Sequence, residues 1–160
     1  MLQSLHIENV AVIEKTDIVF GSGLTTLTGE TGAGKSIVID AINALLGERI
    51  TRDVVRTGAD KAYIAGVFED LPPTVVSLLE ELELPPEEDG TLLIQRSITA
   101  DGKGSCRISG RPTTVSVLRQ IGRMLVNIHG QHENQTLLQP ERHVEYLDRL
   151  GELEAVKSVY

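Results

Sequence analysis

The chain has 160 residues, of which 41% are hydrophobic and 3% aromatic, and its formal net charge is −8. This composition predicts one globular domain with an aliphatic core, and it argues against a disordered chain, a nonspecific DNA-binding protein as a whole and a platform on which bases stack. Cys106 can form no internal disulfide, no apolar run reaches the roughly 18–20 residues of a membrane span, and the N-terminus lacks a secretory signal, so we expect a cytoplasmic protein without membrane contact.

The first third of the chain predicts three strands and a helix. Residues 2–10 and 15–20 alternate loosely between apolar and polar side chains, and residues 24–28 form a third strand-like run that leads into Gly29. Residues 35–46 are apolar on nearly all sides, which predicts a buried helix that ends at the following glycine. A strand, a glycine-rich loop and a helix follow one another here, as in phosphate-binding loops.

The middle of the chain predicts a strand and an acidic helix. Residues 62–69 read as an edge strand, because Gly66 interrupts them and a Pro-Pro pair follows. An amphipathic helix then lies between two Pro-Pro pairs, which stop it at both ends. We expect residues 66–90 to be an acidic helical appendage at the surface. The apolar stripe of its helix consists of Val75, Leu78, Leu79 and Leu82.

Residues 91–98 and 105–109 predict a β-hairpin, and residues 110–112 predict a further turn. The charge changes sign here, because residues 66–90 contain eight acids and no Lys or Arg, whereas residues 91–130 contain six basic residues and one acid. Two solvated faces are one interpretation, and a basic strip facing a phosphate backbone is the other. The six basic residues are Arg96, Lys103, Arg107, Arg111, Arg119 and Arg123.

The last part of the chain predicts a helix, a strand and a second helix. Thr113 or Thr114 can cap a helix that runs to about Arg123. Residues 124–130 predict a buried strand, and a loop follows it. Pro140 is well placed to open the last helix.

Residues 29–36, GETGAGKS, match the phosphate-binding pattern G-x-x-x-x-G-K-S without a mismatch. The glycines let successive backbone N–H groups point at one anion, and the helix that follows adds the positive end of its dipole. Lys35 would reach the β- and γ-phosphates, and Ser36 would place its hydroxyl on Mg²⁺. The sequence predicts a site for ATP and Mg²⁺ that comprises Gly29, Glu30, Thr31, Gly32, Ala33, Gly34, Lys35 and Ser36.

A hydrolytic site also needs a carboxylate for Mg²⁺ at the end of an apolar strand. Asp40 lies inside the predicted helix, and Glu69 and Asp70 follow an interrupted strand, so neither position fits well. The sequence has no Asn-Lys-x-Asp motif, which argues against a GTPase. We therefore expect the remaining catalytic groups on another segment.

Four stretches of the chain resemble the RecN family of bacterial DNA repair ATPases, which are SMC-like proteins. They are residues 5–36, 53–69, 105–122 and above all 125–148, where the string IHGQHE is a specific RecN-like feature. The resemblance covers nearly the whole chain in the right order.

The resemblance implies an α/β P-loop NTPase of ABC/SMC-head type, with a central sheet and a flanking antiparallel β-subdomain. Residues 1–150 would form the N-terminal lobe of the ATPase head, and residues 151–160 would be the truncated start of a coiled-coil helix. The C-terminal half of the same head would supply the signature motif and the missing carboxylates. A second head, in a homodimer, would close over the nucleotide. DNA, double-stranded or at its ends, would be the further partner, in the bacterial nucleoid.

The resemblance also implies roles for single residues. Gln131 would contact Mg²⁺ and the attacking water, because an amide can both accept and donate hydrogen bonds, and Gln135 is a weaker candidate. Arg56 would lie near the nucleotide or DNA. His129 and His132 would either donate a hydrogen bond to the γ-phosphate or only pack within their loop. With no cysteine near them, a histidine zinc site is not expected.

These features predict the ATP-binding half-head of an SMC-like ATPase in double-strand break repair and recombination. ATP would pair two heads, and hydrolysis would reset them, so the 160 residues alone would bind ATP without efficient turnover. One alternative is an ATP-dependent clamp or scaffold that never hydrolyses ATP. The other is a small-molecule P-loop kinase, for which the sequence shows no clear arginine-rich lid.

Overall fold

A computed structural model of the chain describes residues 1–28, 34–126 and 128. In this part of the chain the backbone forms six strands, three α-helices and one short 3-10 helix at Arg52–Val54. The elements in chain order are β1 (Leu2–Val10), β2 (Ile13–Val19), α1 (Lys35–Leu45), β3 (Lys61–Phe68), α2 (Pro73–Glu81), β4 (Leu92–Thr99), β5 (Gly104–Ile108), β6 (Arg111–Thr113) and α3 (Val115–Leu125).

The six strands form one antiparallel sheet in the order β2-β1-β3-β4-β5-β6, as predicted for the flanking subdomain. β3 pairs with β1 on one side and β4 on the other, so the prediction that it is an edge strand is wrong. Residues 110–112, predicted only as a turn, contribute to β6. The turn itself is tighter, because Ser109 and Gly110 both adopt positive φ, and such a turn matches the twist of a two-stranded hairpin.

One face of the sheet carries the core. The buried side chains of β4 alternate with partly exposed ones, and α1 packs against β1, β3 and β4. Gly66 allows this packing, because a Cβ atom at this position would lie 2.4 Å from Cδ2 of Leu45. The glycine that suggested an interrupted strand therefore lets the helix approach the middle of the sheet.

α2 and α3 contact each other and add to the core. Val75 and Leu79 of α2 are fully buried, as are Leu118 and Ile121 of α3. Leu78 and Leu82, the other members of the predicted stripe, stay partly exposed. Within residues 66–90, the first three residues complete β3, and the helix begins at Pro73.

Thr114 caps α3, since its side-chain oxygen accepts a hydrogen bond from the Val117 N–H at 3.3 Å. This confirms one of the two predicted caps. The helix continues to Leu125, so the strand predicted from residue 124 is wrong for its first two residues. Most of the remaining residues to 130, and the helices predicted after Pro140 and at 151–160, lie outside the described residues.

Residues 24–28 have no regular secondary structure, so the strand predicted before the phosphate-binding loop is wrong for this structure. A strand forms only where a neighbouring strand accepts and donates its backbone hydrogen bonds. In the described part of the chain, no strand pairs with this segment. Leu24 is 92% exposed and Leu27 41%. None of the described helices is long and apolar enough to cross a membrane.

Candidate nucleotide-binding site

α1 begins at Lys35, directly after Gly34. Gly34 has φ +96, a left-handed conformation that glycine adopts without strain, and its carbonyl oxygen accepts the N–H of Val38 at 3.0 Å. Lys35 and Ser36 lie in the first turn, and this turn contains no acidic residue. The positive end of the helix dipole is therefore not neutralised by a carboxylate of its own first turn, as an anion site requires.

A cleft of about 440 Å³ lies beside the start of α1. The beginning of β2, the end of the segment before the loop and the first turns of α1 form its walls. The Lys35 end offers a cation and the helix start to phosphate groups. The rest of the lining contains both apolar and polar side chains, and its apolar part suits the flat face of a base or a sugar. Its apolar residues are Val12, Ile13, Ile18, Leu27 and Val38.

Arg56 supports the turn that carries this apolar wall. Its guanidinium Nη1 donates to the Val12 carbonyl oxygen at 2.6 Å, and its backbone N–H donates to the Asn9 carbonyl oxygen at 2.9 Å. Asn9 and Ala11 have φ +54 and +50, which mark a tight, left-handed turn between β1 and β2. In this structure Arg56 therefore holds the residue that lines the cleft.

The cleft wall was not predicted from the sequence. Val12 and Ile13 carry no motif, and only the antiparallel pairing of β1 with β2 places them. The string Glu-Asn-Val-Ala at residues 8–11 indicates a turn between two alternating runs, but it does not indicate a ligand.

The six basic residues of 91–130 do not form one strip. Arg96 is only 6% exposed, so its prediction as a surface residue is wrong, because β4 turns it toward the core beside Ile94 and Ile98. Arg107 lies on the opposite face of the sheet, across from Gln95. Three of the others have partners within the chain, namely Arg111 with the Glu83 carbonyl oxygen, Arg119 with the Gly47 carbonyl oxygen and Lys103 with Asp101.

The carboxylates considered from the sequence lie on α1 and directly after β3. Asp40 is exposed on α1. Asp70 follows β3 in a turn with φ +50. Among the described residues, no group of three or more His, Cys, Asp or Glu side chains could hold a metal ion. Ser36, exposed in the first turn of α1, fits a single hydroxyl ligand to Mg²⁺ beside a phosphate.

The other predicted site residues lie outside the described residues. This holds for the loop residues Gly29, Glu30, Thr31, Gly32 and Ala33. It holds equally for His129, Gln131, His132 and Gln135. The structure thus brings together Gly34, Lys35 and Ser36 with a cleft, and it places Arg56 behind the wall of that cleft.

The chain matches a family model described as an AAA domain over residues 4–102. It is 46% identical over 162 residues to the DNA repair protein RecN of Halalkalibacterium halodurans, which covers 100% of this chain and 29% of the relative. With the DNA repair protein RecN of Bacillus subtilis it shares 43% identity over 164 residues, and these cover 100% of this chain and 28% of the relative. The chain thus spans less than a third of the length of these relatives.

Solved structures share the fold. One is described as "Structural biochemistry of ATP-driven dimerization and DNA stimulated activation of SMC ATPases" and has a TM-score of 0.66 at 24% identity. The match covers 93% of this chain and 98% of that one. It confirms the predicted SMC-head type of P-loop fold. The chain therefore belongs to the AAA domain family, and its resemblance to the RecN proteins is confirmed along its whole length.

Proposed function

We propose that the chain is the ATP-binding half of an SMC-like ATPase head that acts in repair of DNA double-strand breaks and in recombination. One observation carries the proposal, namely that Gly34, Lys35 and Ser36 open a helix at the end of a cleft of about 440 Å³. The names of the relatives, DNA repair protein RecN, support the biological setting. We infer from this setting a location in the bacterial cytoplasm, in association with the nucleoid.

The nucleotide binds with its base against the apolar wall and its phosphates at the start of α1. Lys35 places its charge on the β- and γ-phosphates, and Ser36 places its hydroxyl on Mg²⁺. The backbone N–H groups of residues 29–34 complete the phosphate site. From the family resemblance, Gln131 would orient the attacking water in the complete head, and its sequence neighbours His129 and His132 would either donate a hydrogen bond to the γ-phosphate or only pack within their loop.

ATP hydrolysis takes place only in the complete head pair. The C-terminal half of the same head supplies the missing carboxylates, and a second head closes over the nucleotide and excludes water. The exposed side chains of Val19 and Leu24 support the role of the C-terminal half, because they offer apolar area at the end of β2 and in the segment after it, which has no pairing strand in the described chain. The description of the SMC structure, with its ATP-driven dimerization, supports the role of the second head.

DNA contacts the sheet on the face away from α1. A shallow groove of about 420 Å³ lies there, and its exposed cations are Lys61 and Arg107. Among the described residues that line this groove, none is acidic. Tyr63, Gln95 and Ser97 add hydroxyl and amide groups that can hydrogen-bond to phosphate oxygens. Lys61→Ala and Arg107→Ala should each weaken binding of duplex DNA and flatten its salt dependence by about one unit.

The decisive experiment on ATP binding compares Lys35→Ala with Lys103→Ala. Both variants remove one lysine charge, but Lys103 pairs with Asp101 at 2.9 Å in the β4–β5 turn. We expect Lys35→Ala to weaken ATP binding about a hundredfold, because it removes the positive charge that contacts the phosphates. The circular dichroism spectrum should stay unchanged. Lys103→Ala should bind ATP as the unchanged protein does. Equal ATP affinity in both variants would refute the site.

Two other functions stay open to the same assay. A clamp or scaffold would bind ATP at Lys35 without releasing phosphate, also in the presence of DNA. A small-molecule kinase would transfer the phosphate to an acceptor other than water. Release of inorganic phosphate by the native protein, lost in Lys35→Ala, supports the ATPase and excludes both.

A further inference from the structure

The C-terminal end of α1 is held by two arginines that come from other elements. Arg96 of β4 donates through Nη1 to the carbonyl oxygens of Ala44 and, at 2.6 Å, Glu48. Arg119 of α3 donates through Nη2 to the carbonyl oxygen of Gly47 at 3.1 Å. The helix that begins with the phosphate-binding lysine therefore ends between two guanidinium groups.

These contacts suit the charges at this end of the helix. The last turn of α1 contains no basic residue, so the negative end of its dipole is met by cations from β4 and α3. Arg96 is almost completely buried, and burial lowers its pKa. A buried guanidinium is tolerated only where acceptors meet its N–H groups, and here the carbonyl oxygens of Ala44 in α1 and of Glu48 after it do so.

Two glycines bring α1 and α3 into direct backbone contact. A Cβ atom on Gly47 would lie 2.5 Å from the Arg119 nitrogen, and a Cβ atom on Gly122 would lie 2.6 Å from the Leu46 carbonyl oxygen. Gly47 also has φ +94, which ends the helix in a left-handed residue. The residues that directly follow α1 are thus in close backbone contact with α3.

We propose that Arg96 and Arg119 are positioning residues for the nucleotide phosphates. They fix α1 along its axis, and a helix of 11 residues, about 16 Å long, carries that position to Lys35 and Ser36 at its other end. A misplacement of about 1 Å at a reacting group can cost a hundredfold in rate, so small shifts of the helix have large effects. This inference rests on the proposed ATP binding.

The proposal separates the two ends of the nucleotide. The β- and γ-phosphates depend on the position of α1, whereas the apolar wall at Val12 and Ile13 belongs to the β1–β2 turn, which Arg56 holds independently. We call the pair Arg96 and Arg119 the arginine clamp. Its loss should weaken the binding of ATP, which carries all three phosphates, far more than the binding of AMP. A general loss of stability of the fold would weaken the binding of both nucleotides to a similar extent.

The test uses four variants of the native protein that carries this sequence: Arg119→Ala, Arg119→Lys, Arg96→Lys and the control Arg123→Ala. Arg123 lies on the same helix as Arg119 and is exposed. Displacement of a fluorescent ATP analogue gives the Kd of ATP and of AMP, and thermal unfolding gives the Tm. Arg119→Ala should bind ATP about tenfold more weakly and AMP within about twofold of the unchanged protein.

The conservative variants report on the geometry. Arg119→Lys keeps one donor for the Gly47 carbonyl oxygen, so it should recover most of the ATP affinity. Arg96 makes both of its bonds through the single nitrogen Nη1 at an almost completely buried position. A lysine there buries a more strongly hydrated ammonium group, so Arg96→Lys should bind ATP more weakly than Arg119→Lys does. Arg123→Ala should leave both affinities unchanged.

Two results would overturn the clamp. One is a parallel loss of ATP and AMP binding together with a lower Tm, which means that the arginines only stabilise the fold. The other is unchanged ATP affinity in both Arg119→Ala and Arg96→Lys. Lys35→Ala, measured alongside, keeps the two proposals apart. If this variant binds ATP as tightly as the unchanged protein does, the nucleotide site itself is wrong. If it does not, and the arginine variants bind normally, only the clamp fails.

Discussion

At the scale of single residues, Gly66 decides how close α1 comes to the sheet. Gly66 is the one residue of β3 without a side chain, and its hydrogen atom faces the fully buried side chain of Leu45. A fully buried leucine stabilises the fold by about 1.5–3 kcal/mol, and this depends on close contact with its surroundings. The absence of a side chain at Gly66 therefore sets the distance between α1 and the sheet.

Gly66→Ala should lower the free energy of unfolding by about 1–3 kcal/mol, because the new methyl group overlaps Leu45 and forces the helix outward. Gly104→Ala is the matched control, since it also lies in a strand and its Cβ would find only an ordinary contact of 3.6 Å with the Ser97 carbonyl oxygen. Urea unfolding followed by circular dichroism measures both. Equal stability of the two variants would contradict this account.

Cys106 should react slowly with thiol reagents in the folded protein. Burial raises the pKa of its thiol, so less thiolate is present at a given pH, and the thiolate is the reactive form. We expect alkylation by iodoacetamide to need a higher pH in the native protein than in urea. The rate as a function of pH, followed by mass spectrometry, tests this, and identical profiles in the two conditions would show an accessible, ordinary thiol.

Gln131→Ala tests the residue taken from the family resemblance. We predict that the native protein with this change binds ATP normally and hydrolyses it roughly a hundredfold more slowly, because the attacking water loses its orienting amide. Gln135→Ala is the matched control. If Gln135→Ala is the slower variant, the role moves four residues along the chain, and normal hydrolysis in both removes it from this segment.

At the scale of secondary-structure elements, α3 connects the core to the clamp at the end of α1. Its buried residues Leu118 and Ile121 face the core, while Arg119 and Gly122, next to them in sequence, meet the end of α1. The start of the helix depends on Thr114, whose oxygen accepts from Val117. Fraying of this first turn would loosen both sets of contacts.

Thr114→Ala should cost about 1 kcal/mol of stability, because one N–H group at the start of α3 loses its acceptor. Ser116→Ala, an exposed change in the same turn, should cost nothing measurable, since alanine favours the helix. Thermal unfolding of both variants checks the difference. A Ser116→Ala variant as unstable as Thr114→Ala would show that the cap contributes nothing specific.

The elements with strong local signals could be predicted, and those that depend on distant partners could not. β1, α1 and the β4–β5 hairpin follow from alternation, apolar pattern and turn residues, and the Thr114 cap from its side chain. Residues 24–28 have a strand-like pattern but no pairing strand in the described chain, so local pattern misleads there. Arg96 shows the same limit, because its burial comes from the register of β4.

The site divides in the same way. Lys35 and Ser36 could be found because backbone chemistry at phosphates demands a fixed spacing of residue types. Val12 and Ile13 could not, since any apolar residues serve as a wall and only the pairing of β1 with β2 brings them to the helix. The role of Arg119 could not be predicted either, because its partner is a backbone carbonyl oxygen 72 positions away in sequence.

At the scale of the whole molecule, the two faces of the sheet differ in the groups that they present. α1 and the core occupy one face, while the other presents the groove with Lys61 and Arg107. The net charge of −8 makes such a cationic groove stand out from the rest of the surface. Nucleotide and DNA would then act on opposite sides of one sheet.

ATP should drive pairing of the native protein, and Lys35→Ala should prevent it. The reason is that the phosphates held at α1 complete the surface that a second head recognises. Light scattering after size-exclusion chromatography, with and without ATP and Mg²⁺, measures the mass. A nucleotide-independent mass in the unchanged protein would contradict ATP-driven pairing while leaving ATP binding itself intact.

The strand order has a mechanical consequence for the nucleotide-binding segment. β2 and β3 flank β1 on its two sides, so the segment between them, residues 20–60, leaves the sheet beside β1 and returns beside β1. A protease cut within residues 21–28 would leave β1 and β2 in one piece and β3 in the other. The backbone hydrogen bonds between β1 and β3 would hold the two pieces together. The backbone pairing of β2 and β3 with β1 thus keeps the two ends of this segment in register even when the chain between them is cut.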